Sequence, residues 1–327
     1  MPVDVWSSPA FHAEVRAWVE EQVRPLGITL TGESEQPHNR PWSSAIWFGS
    51  DAGRLWFKVN GPGIRFEAAL VDLLGKLVPD LVPEVLAADH ERAWSLTRDA
   101  GPTMRSAAPP DEQWGWWEGI LVRYAEAQIL LADHRDALLA TGVGEASPAT
   151  LPGQLRALIE ELAAKDPHDG GLTSEEVAGL EALLPEYDAW CATLAASGVP
   201  DSAQHDDLHS NNICWTGSVE TARIIDWGDT TVGYPIATML CTLNSIAYHA
   251  DCERDDPRVL RVRDAYLEPF TRYADRAELV EMVTLARRTG AVTRAMSYQH
   301  AFAGEPRSAE AAEDWPVRGW LLELHEL

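Results

Sequence analysis

Two clusters of polar residues in the segment 204–231 carry groups with which a protein could do chemistry. The first cluster runs from His205 to Asn212, and the second is centred on Asp226, 14 positions after Asn212. Carboxylate and amide oxygens are the ligands that Mg²⁺ prefers, and a further carboxylate can orient or deprotonate a hydroxyl. These groups together are typical of phosphoryl transfer, in which one aspartate takes the proton of the substrate while Asn and Asp hold Mg²⁺ on the phosphates.

Short apolar runs between the two clusters predict the element that positions them. Ile213–Trp215 and Thr221–Ile225 lie on either side of a Thr-Gly turn, and this pattern predicts a β-hairpin. A hairpin brings the loop before its first strand close to the loop after its second strand. The sequence therefore predicts that Asp207, Asn212 and Asp226 converge on one spot.

The two clusters resemble a known pair of family motifs. The chain reads His-Asp-Asp-Leu-His-Ser-Asn-Asn at 205–212 and Ile-Asp-Trp at 225–227. The aminoglycoside phosphotransferase family usually has H-G-D-x-x-x-x-N followed by I-D-[WF], and its members are small-molecule kinases with a protein-kinase-like fold. The resemblance implies an α+β chain of two lobes, a small β-rich N-terminal lobe and a larger, mainly helical C-terminal lobe.

The resemblance also implies a role for the polar residues of both clusters. Asp207 would be the catalytic base, and His205 would support its loop. Asn212 and Asp226 would hold Mg²⁺, with ATP or another nucleoside triphosphate as the phosphoryl donor. The chain departs from the family pattern at Asp206, where glycine is common, and Asp206 is therefore a second candidate for the base.

The N-terminal part of the chain contains matching candidates for nucleotide binding. Only three lysines occur, and one of them, Lys58, lies inside the apolar run Leu55–Val59. A compact ammonium group in such a run suits a buried phosphate contact. By the resemblance, Lys58 would contact the α- and β-phosphates and Glu67 would be its partner. Taken alone, Lys58 is equally compatible with a surface lysine on an edge strand, and Glu67 with a solvated helix face.

Two further segments resemble the nucleotide site of the family. The backbone of Thr97 and Asp99 would contact adenine, through the carbonyl of Thr97 and the amide of Asp99. The loop 40–44 would cover the phosphates with Ser43 and Ser44, although it has no glycine-rich motif.

The pattern along the chain divides it into two lobes. We predict a nucleotide-binding lobe at 1–98, a hinge at 99–102 and a helical lobe at 103–327 that contains the catalytic loop and the acceptor pocket. In the first lobe, a helix at 11–24, a hairpin over 45–59, a helix at 65–77 and strands at 85–88 and 93–97 are expected, and 31–43 reads as polar and turn-rich. In the second, helices are expected at 111–133, 151–164, 174–195, 255–274, 276–297 and 308–325.

Composition and charge narrow the classes of partner. With Lys+Arg 26 and Asp+Glu 51, the formal net charge is −25, which disfavours nucleic acid and anionic membranes. The same charge suits a cationic acceptor such as an aminoglycoside. Four cysteines without a Cys-x-x-Cys pair, and no segment typical of a signal peptide or a membrane span, predict a cytoplasmic location.

Several alternatives stay open at this point. The acceptor could instead be a metabolic hydroxyl compound of the choline, homoserine or sugar type, and the protein could bind a nucleotide without turnover. His205, Asp206 and His209 could form the site of a metal-dependent phosphohydrolase. Asp229 would steady the metal loop, bind the substrate or cap the turn before Thr230.

Overall fold

A five-stranded antiparallel sheet forms the first lobe of the computed structural model, which describes residues 2–302 and 316–325. The strands lie in the order β1-β2-β3-β5-β4. Their bounds are β1 Leu30–Asn39, β2 Ser43–Ser50, β3 Gly53–Asn60, β4 Val85–Asp89 and β5 Trp94–Arg98. In this sheet Lys58 of β3 pairs with Ala45 of β2 and Ser95 of β5, so Lys58 lies on a central strand and not on an edge.

Two N-terminal helices, α1 (Pro2–Trp6) and α2 (Pro9–Val23), precede the sheet. The hydroxyl of Ser8 accepts a hydrogen bond from the amide of Phe11 and so caps α2. Edge-to-face contacts join Phe11 and Trp18 of α2 to Phe57 and Trp94 of the sheet. Side chains alternate along a strand, so Phe57 and Lys58 point to opposite faces of the sheet. The helices therefore cover the face that carries Phe57, and Lys58 lies on the other face.

Helix α3 (Glu67–Leu77) lies between β3 and β4 and begins at the residue predicted to partner Lys58. Its buried side chains include Leu70, Val71 and Leu74, which recur at helical spacing and join the larger core of the second lobe. This packing fixes the position of Glu67 between the two lobes.

A short connection after β5 leads from the sheet to the helices. The amide of Asp99 donates to the carbonyl of Arg54 at 3.1 Å, so the chain still follows the sheet at this residue. Gly101 has φ of +91°, and a Cβ there would lie 2.6 Å from the Thr216 methyl group. Glycine therefore allows this connection to pass close to the β-hairpin of the second lobe.

The second lobe is mainly helical. Its helices are α4 Met104–Ala107, α5 Trp114–Ala132, α6 Arg135–Ala140, α7 Leu151–Ala163, α8 Ser174–Ala196, α9 Met239–His249, α10 Pro257–Leu267, α11 Arg276–Ala301 and α12 Pro316–Leu322. At the start of α8, the side chain of Thr173 accepts a hydrogen bond from the amide of Glu176, and the side chain of Glu176 accepts one from the amide of Thr173. Asp275 and Glu278 form the same pair of bonds at the start of α11. These capping boxes fix both helix starts.

Two small sheets in the second lobe position its loops. One has the order β6-β10-β7, with β6 at Gly144–Ala146, β7 at Ser202–His205 and β10 at Thr230–Gly233. The other is the predicted hairpin of β8 (Ile213–Cys214) and β9 (Arg223–Ile224), which the structure confirms. The segment 206–212 lies between β7 and β8, and the segment 225–229 lies between β9 and β10.

The α+β prediction is confirmed, and two local expectations are corrected. The polar segment 31–43 is not a turn-rich loop, since most of it forms β1, an edge strand whose side chains are largely exposed. The helix expected at 255–274 ends at Leu267 and continues as a 3₁₀ turn at Glu268–Arg272. Of the helix expected at 308–325, residues 308–315 lie outside the described residues, and the described part consists of α12 followed by a 3₁₀ turn at Glu323–His325.

No helix within residues 2–302 and 316–325 combines the length and the apolar character needed to cross a membrane.

Candidate active site

The loop after β7 is anchored by His205. Its side chain is fully buried, with Nε2 3.0 Å from the carbonyl oxygen of Ile225 and the ring packed against Trp227. The amide of His205 donates to the Tyr124 hydroxyl at 2.7 Å. Burial lowers the pKa of His205, which favours the neutral ring. His205 therefore ties the two predicted loops together and is not available as a metal ligand.

Asn212 and Asp207 lie side by side in this loop. The Asn212 Nδ2 donates to the carbonyl of Asp207 at 2.9 Å, and the carbonyl of Asn212 accepts from the amide of Ile225 at 2.9 Å. The second bond brings Asn212 next to the residue that precedes Asp226. The hairpin thus brings together the three residues that the sequence predicted to converge.

Asp226 has an unusual backbone conformation for a residue other than glycine. Its φ of +64° and ψ of +59° lie in the left-handed region, where most side chains are strained. The side chain is 51% exposed, and its Oδ1 lies 2.5 Å from Lys58 Nζ. The carboxylate therefore faces the interlobe space with one oxygen on the lysine.

Lys58 lies between two carboxylates. Its Nζ is 2.8 Å from Glu67 Oε1, and the same oxygen accepts the amide of Trp227 at 2.9 Å. Burial alone would lower the pKa of Lys58, but the carboxylates of Asp226 and Glu67 outweigh it and raise the pKa above its ordinary value. The ammonium group is therefore held charged at the point where β3, α3 and the Asp226 loop meet.

A cavity of about 310 Å³ lies between the sheet and the β8–β9 hairpin. Its lining includes seven of the residues proposed above, namely Ser43, Lys58, Glu67, Thr97, Asp99, Asn212 and Asp226. The donor set at one end, a carboxylate and an amide oxygen beside a lysine, has the chemistry that Mg²⁺ bound to phosphates requires. The residues present therefore fit a metal–nucleotide complex.

Two of the groups predicted to contact the nucleotide, the side chain of Ser44 and the amide of Asp99, bond to other parts of the protein instead. Ser44 is not among the residues that line the cavity, because successive residues of β2 point to opposite faces, and its hydroxyl bonds the carbonyl of His38 instead. The amide of Asp99, predicted to contact adenine, is bonded to the carbonyl of Arg54. Ser43 and Thr97 do line the cavity, with the Ser43 hydroxyl 3.0 Å from His38 Nε2.

Asp206 and Asp207 have opposite environments, which separates the two candidates for the base. Asp206 is 3% exposed, and its oxygens bond the Gln204 amide and the hydroxyls of Thr231 and Thr293. Burial raises the pKa of Asp206 to about 7. It is turned into the protein and supports the loop from inside.

Asp207 faces outward and is held ionised. Its side chain is 27% exposed, with Oδ2 3.4 Å from His209 Nε2 and Oδ1 3.2 Å from Arg294 Nη2. Burial would raise the pKa of Asp207, but His209 and Arg294 outweigh it and lower the pKa well below its usual range. Of the two neighbouring acids, Asp207 is the one placed to accept a bond from a ligand hydroxyl.

Arg294, on α11, is a site residue that the sequence reasoning missed. It is only 5% exposed, pairs with Asp207, and its Nη1 lies 3.6 Å from Asp229 Oδ2. Burial raises the pKa of Asp229 to about 6, and Arg294 opposes that rise. An arginine inside a long helical pattern has no local motif around it, so nothing in the sequence indicates that it reaches the loop 87 positions earlier.

The geometry gives no support to the metal-hydrolase alternative. The segment 206–212 is a loop, so His205 and His209 do not share a helix face. Within residues 2–302 and 316–325, no group of three or more His, Cys, Asp or Glu side chains is arranged to hold a metal ion.

Solved structures with the same fold come from several small-molecule kinases. The chain superposes on an ethanolamine kinase from Plasmodium vivax with a TM-score of 0.62 at 12% identity, covering 98% of this chain and 90% of that one. For a type I macrolide 2'-phosphotransferase the TM-score is 0.58 at 14% identity, with 97% of each chain covered. For a choline/ethanolamine kinase family protein from Mesorhizobium loti it is 0.57 at 20% identity, with 96% and 95% covered.

These identities are low, so the superpositions show the protein-kinase-like two-lobed fold. No curated protein matches the sequence significantly. The family model for the phosphotransferase enzyme family (APH), in contrast, matches residues 34–279, well over half of the chain, and spans both the Lys58 strand and the 205–226 loops. The chain therefore belongs to the phosphotransferase enzyme family.

Proposed function

We propose that this protein transfers the γ-phosphate of ATP to a hydroxyl group of a small molecule. Family membership supports the coarser statement, that it is a small-molecule phosphotransferase. The observation that carries the finer proposal is the arrangement around the 310 Å³ cavity, with Lys58 and Asp226 at one end and Asp207 beside Asn212 in the adjoining loop.

In this proposal ATP occupies the cavity between the lobes. Adenine lies near Thr97 and Asp99, and the phosphates lie at Lys58, with Ser43 close by. Asn212 and Asp226 hold Mg²⁺, which when bound neutralises charge on the phosphates. The ammonium group of Lys58 is held by Glu67 at 2.8 Å and by Asp226 at 2.5 Å, which fixes it next to the proposed Mg²⁺ ligand Asp226.

Asp207 carries the chemical step. Its ionised carboxylate accepts the proton of the acceptor hydroxyl as the hydroxyl oxygen bonds to the γ-phosphorus. The bond from that phosphorus to the bridging oxygen breaks, and ADP leaves with that oxygen. Because His209 and Arg294 hold the pKa of Asp207 low, the group acts mainly by orienting the hydroxyl and takes the proton late.

The acceptor is the finer part of the proposal. The net charge of −25 favours a cation such as an aminoglycoside, which would make the protein an antibiotic-resistance enzyme. A metabolic hydroxyl compound is the second candidate, and the Arg294 cation next to Asp207 is the observation that favours its sugar-type members, which carry no ammonium group. We also propose a cytoplasmic location, which agrees with the four cysteines all being free thiols.

Nucleotide binding and turnover test the two halves of the proposal separately. Wild type should be stabilised by ATP only when Mg²⁺ is present, as measured by thermal shift. Asp226→Ala should lose this Mg²⁺-dependent shift, whereas Asp207→Asn should retain it and lose turnover. Asp188→Ala, which removes an exposed carboxylate paired with Arg156, is the matched control and should behave like wild type.

Three outcomes distinguish the alternatives. The absence of any nucleotide shift in wild type would reject the phosphotransferase proposal. Tight Mg·ATP binding without transfer to any acceptor would indicate a nucleotide-binding protein. Hydrolysis of phosphate esters without ATP would indicate the metal-dependent phosphohydrolase.

A further inference from the structure

A buried arginine, Arg294, lies next to Asp207, the proposed catalytic base. The guanidinium of Arg294 lies 3.2 Å from Asp207 and 3.6 Å from Asp229. Its central carbon also lies 5.0 Å from the ring centre of Tyr298 and 5.8 Å from that of Trp320. Two acids and two aromatic rings from four different segments therefore surround one internal cation.

Acids and aromatic faces are the groups with which proteins bind organic cations. Here both kinds of group already face Arg294. Arginine does not lose its proton in proteins, so its charge is permanent. An ammonium group brought to the same place would meet a fixed like charge and would find both carboxylates engaged.

Some N–H groups of Arg294 have no hydrogen-bond partner. It is 5% exposed, and its Nε and Nη1 are buried without a hydrogen-bond partner. The Asp229 oxygen, 3.6 Å from Nη1, is too far away for a hydrogen bond. Buried N–H groups of this kind are normally paired, and an oxygen is the partner that they need.

We propose that Arg294 determines acceptor specificity, and that the acceptor presents to it an uncharged or anionic oxygen, as a polyol or a hydroxy acid does, and no ammonium group. This inference rests on the proposed phosphotransferase function. The overall negative charge favours a cationic acceptor, and this inference departs from that expectation. Attraction by distant acids is screened within about 8 Å at physiological salt, so the groups next to Asp207 determine which acceptor binds.

The test removes the internal cation and asks whether an external cation takes its place. Arg294→Ala leaves the acids and rings around an empty, guanidinium-shaped space, and ethylguanidinium is the probe that matches it. Melting temperatures are measured with Mg·ATP present, using sodium chloride as the ionic-strength control. Arg288→Ala is the matched control, since it removes an arginine from the same helix that lies 4.8 Å from the ring centre of Trp190 on α8.

We expect millimolar ethylguanidinium to raise the melting temperature of Arg294→Ala saturably, by about 2 °C or more, and to leave wild type and Arg288→Ala unchanged. Arg294→Lys keeps the charge and should exclude the probe as wild type does. The turnover assay below uses wild type alone and therefore tests the inference even if the alanine variant does not fold. In turnover assays, wild type should prefer glycerate or sorbitol to choline or kanamycin in kcat/KM by at least about tenfold.

Two results would overturn the inference. One is a saturable shift of wild type by ethylguanidinium, or a preference of wild type for kanamycin or choline. The other is an Arg294→Ala protein that responds no more than Arg288→Ala. Failure of the proposed function looks different, because wild type would then show no shift with Mg·ATP. The glycerate and sorbitol arms separate an anionic acceptor from an uncharged one.

Discussion

Replacing Lys58 with methionine tests how the charges of Lys58, Glu67 and Asp226 stabilise the fold. The Lys58 side chain is 21% exposed and that of Glu67 only 4%. Removing the ammonium group leaves Glu67 as a buried carboxylate that still accepts the Trp227 amide. Removing one partner of a buried ion pair typically costs about 3–5 kcal/mol, and we expect Lys58→Met to lower the free energy of unfolding by this amount.

Asp226→Asn provides the contrast. The Asp226 side chain is 51% exposed, so water screens its pair with Lys58, and Lys58 keeps Glu67 as a partner. The expected loss is therefore no more than about 1 kcal/mol. Urea unfolding followed by tryptophan fluorescence measures both values. A Lys58→Met, Glu67→Gln double variant should recover part of the loss, since it removes the unpaired carboxylate.

The pH dependence gives a second check on the same variants. Burial raises the pKa of Glu67, and Lys58 opposes that rise. Without Lys58 the pKa of Glu67 in the folded protein rises further, so protonation favours the folded state. The penalty in Lys58→Met should then shrink as the pH falls from 8 to 5. Equal destabilisation by Lys58→Met and Asp226→Asn, or a penalty that does not change with pH, would refute the reasoning.

Three further predictions concern the loop and its support. Asp207→Asn should reduce kcat by about 10²–10⁴-fold in steady-state assays without changing the KM for Mg·ATP, whereas Asp206→Asn should retain most of the turnover. Burial raises the pKa of Asp206 to about 7, which is above its value in the unfolded chain. The melting temperature of wild type should therefore fall as the pH rises from about 4 to 7, and that of Asp206→Asn should depend less on pH. Gly233→Ala should destabilise the fold by about 1–3 kcal/mol in urea unfolding, because its Cβ would lie 2.2 Å from the Ala146 carbonyl oxygen, whereas Gly144→Ala, with open space around its Cβ, should cost less.

The loop 206–212 was the part of the candidate site most open to prediction from sequence. The polar residues on either side of a short hairpin lie near one another in the chain, so local pattern was enough to bring Asp207, Asn212 and Asp226 together. Lys58 could be selected because lysine is rare in this chain. Its contact with Glu67 joins positions nine residues apart, which a strand followed by a helix readily supplies.

What the sequence did not predict depends on contacts between distant segments. Arg294 reaches Asp207 only because α11 packs beside the loop, and helical periodicity does not say against what a helix packs. The edge strand β1 was missed because both of its faces are largely exposed, so its residues show no alternation of polar and apolar side chains. The opposite orientations of Asp206 and Asp207 also depend on tertiary partners, namely Thr231 and Thr293 on one side and Arg294 on the other.

The central claim, transfer of a phosphoryl group to a hydroxyl, is tested most directly by ³¹P NMR of the reaction products. Wild type is incubated with Mg·ATP and a mixture of sugars, polyols, hydroxy acids, amino alcohols and aminoglycosides. We predict a phosphomonoester signal that grows in step with ADP and is absent with Asp207→Asn. Consumption of ATP that yields only inorganic phosphate, or a phosphomonoester that forms equally well with Asp207→Asn, would contradict the account.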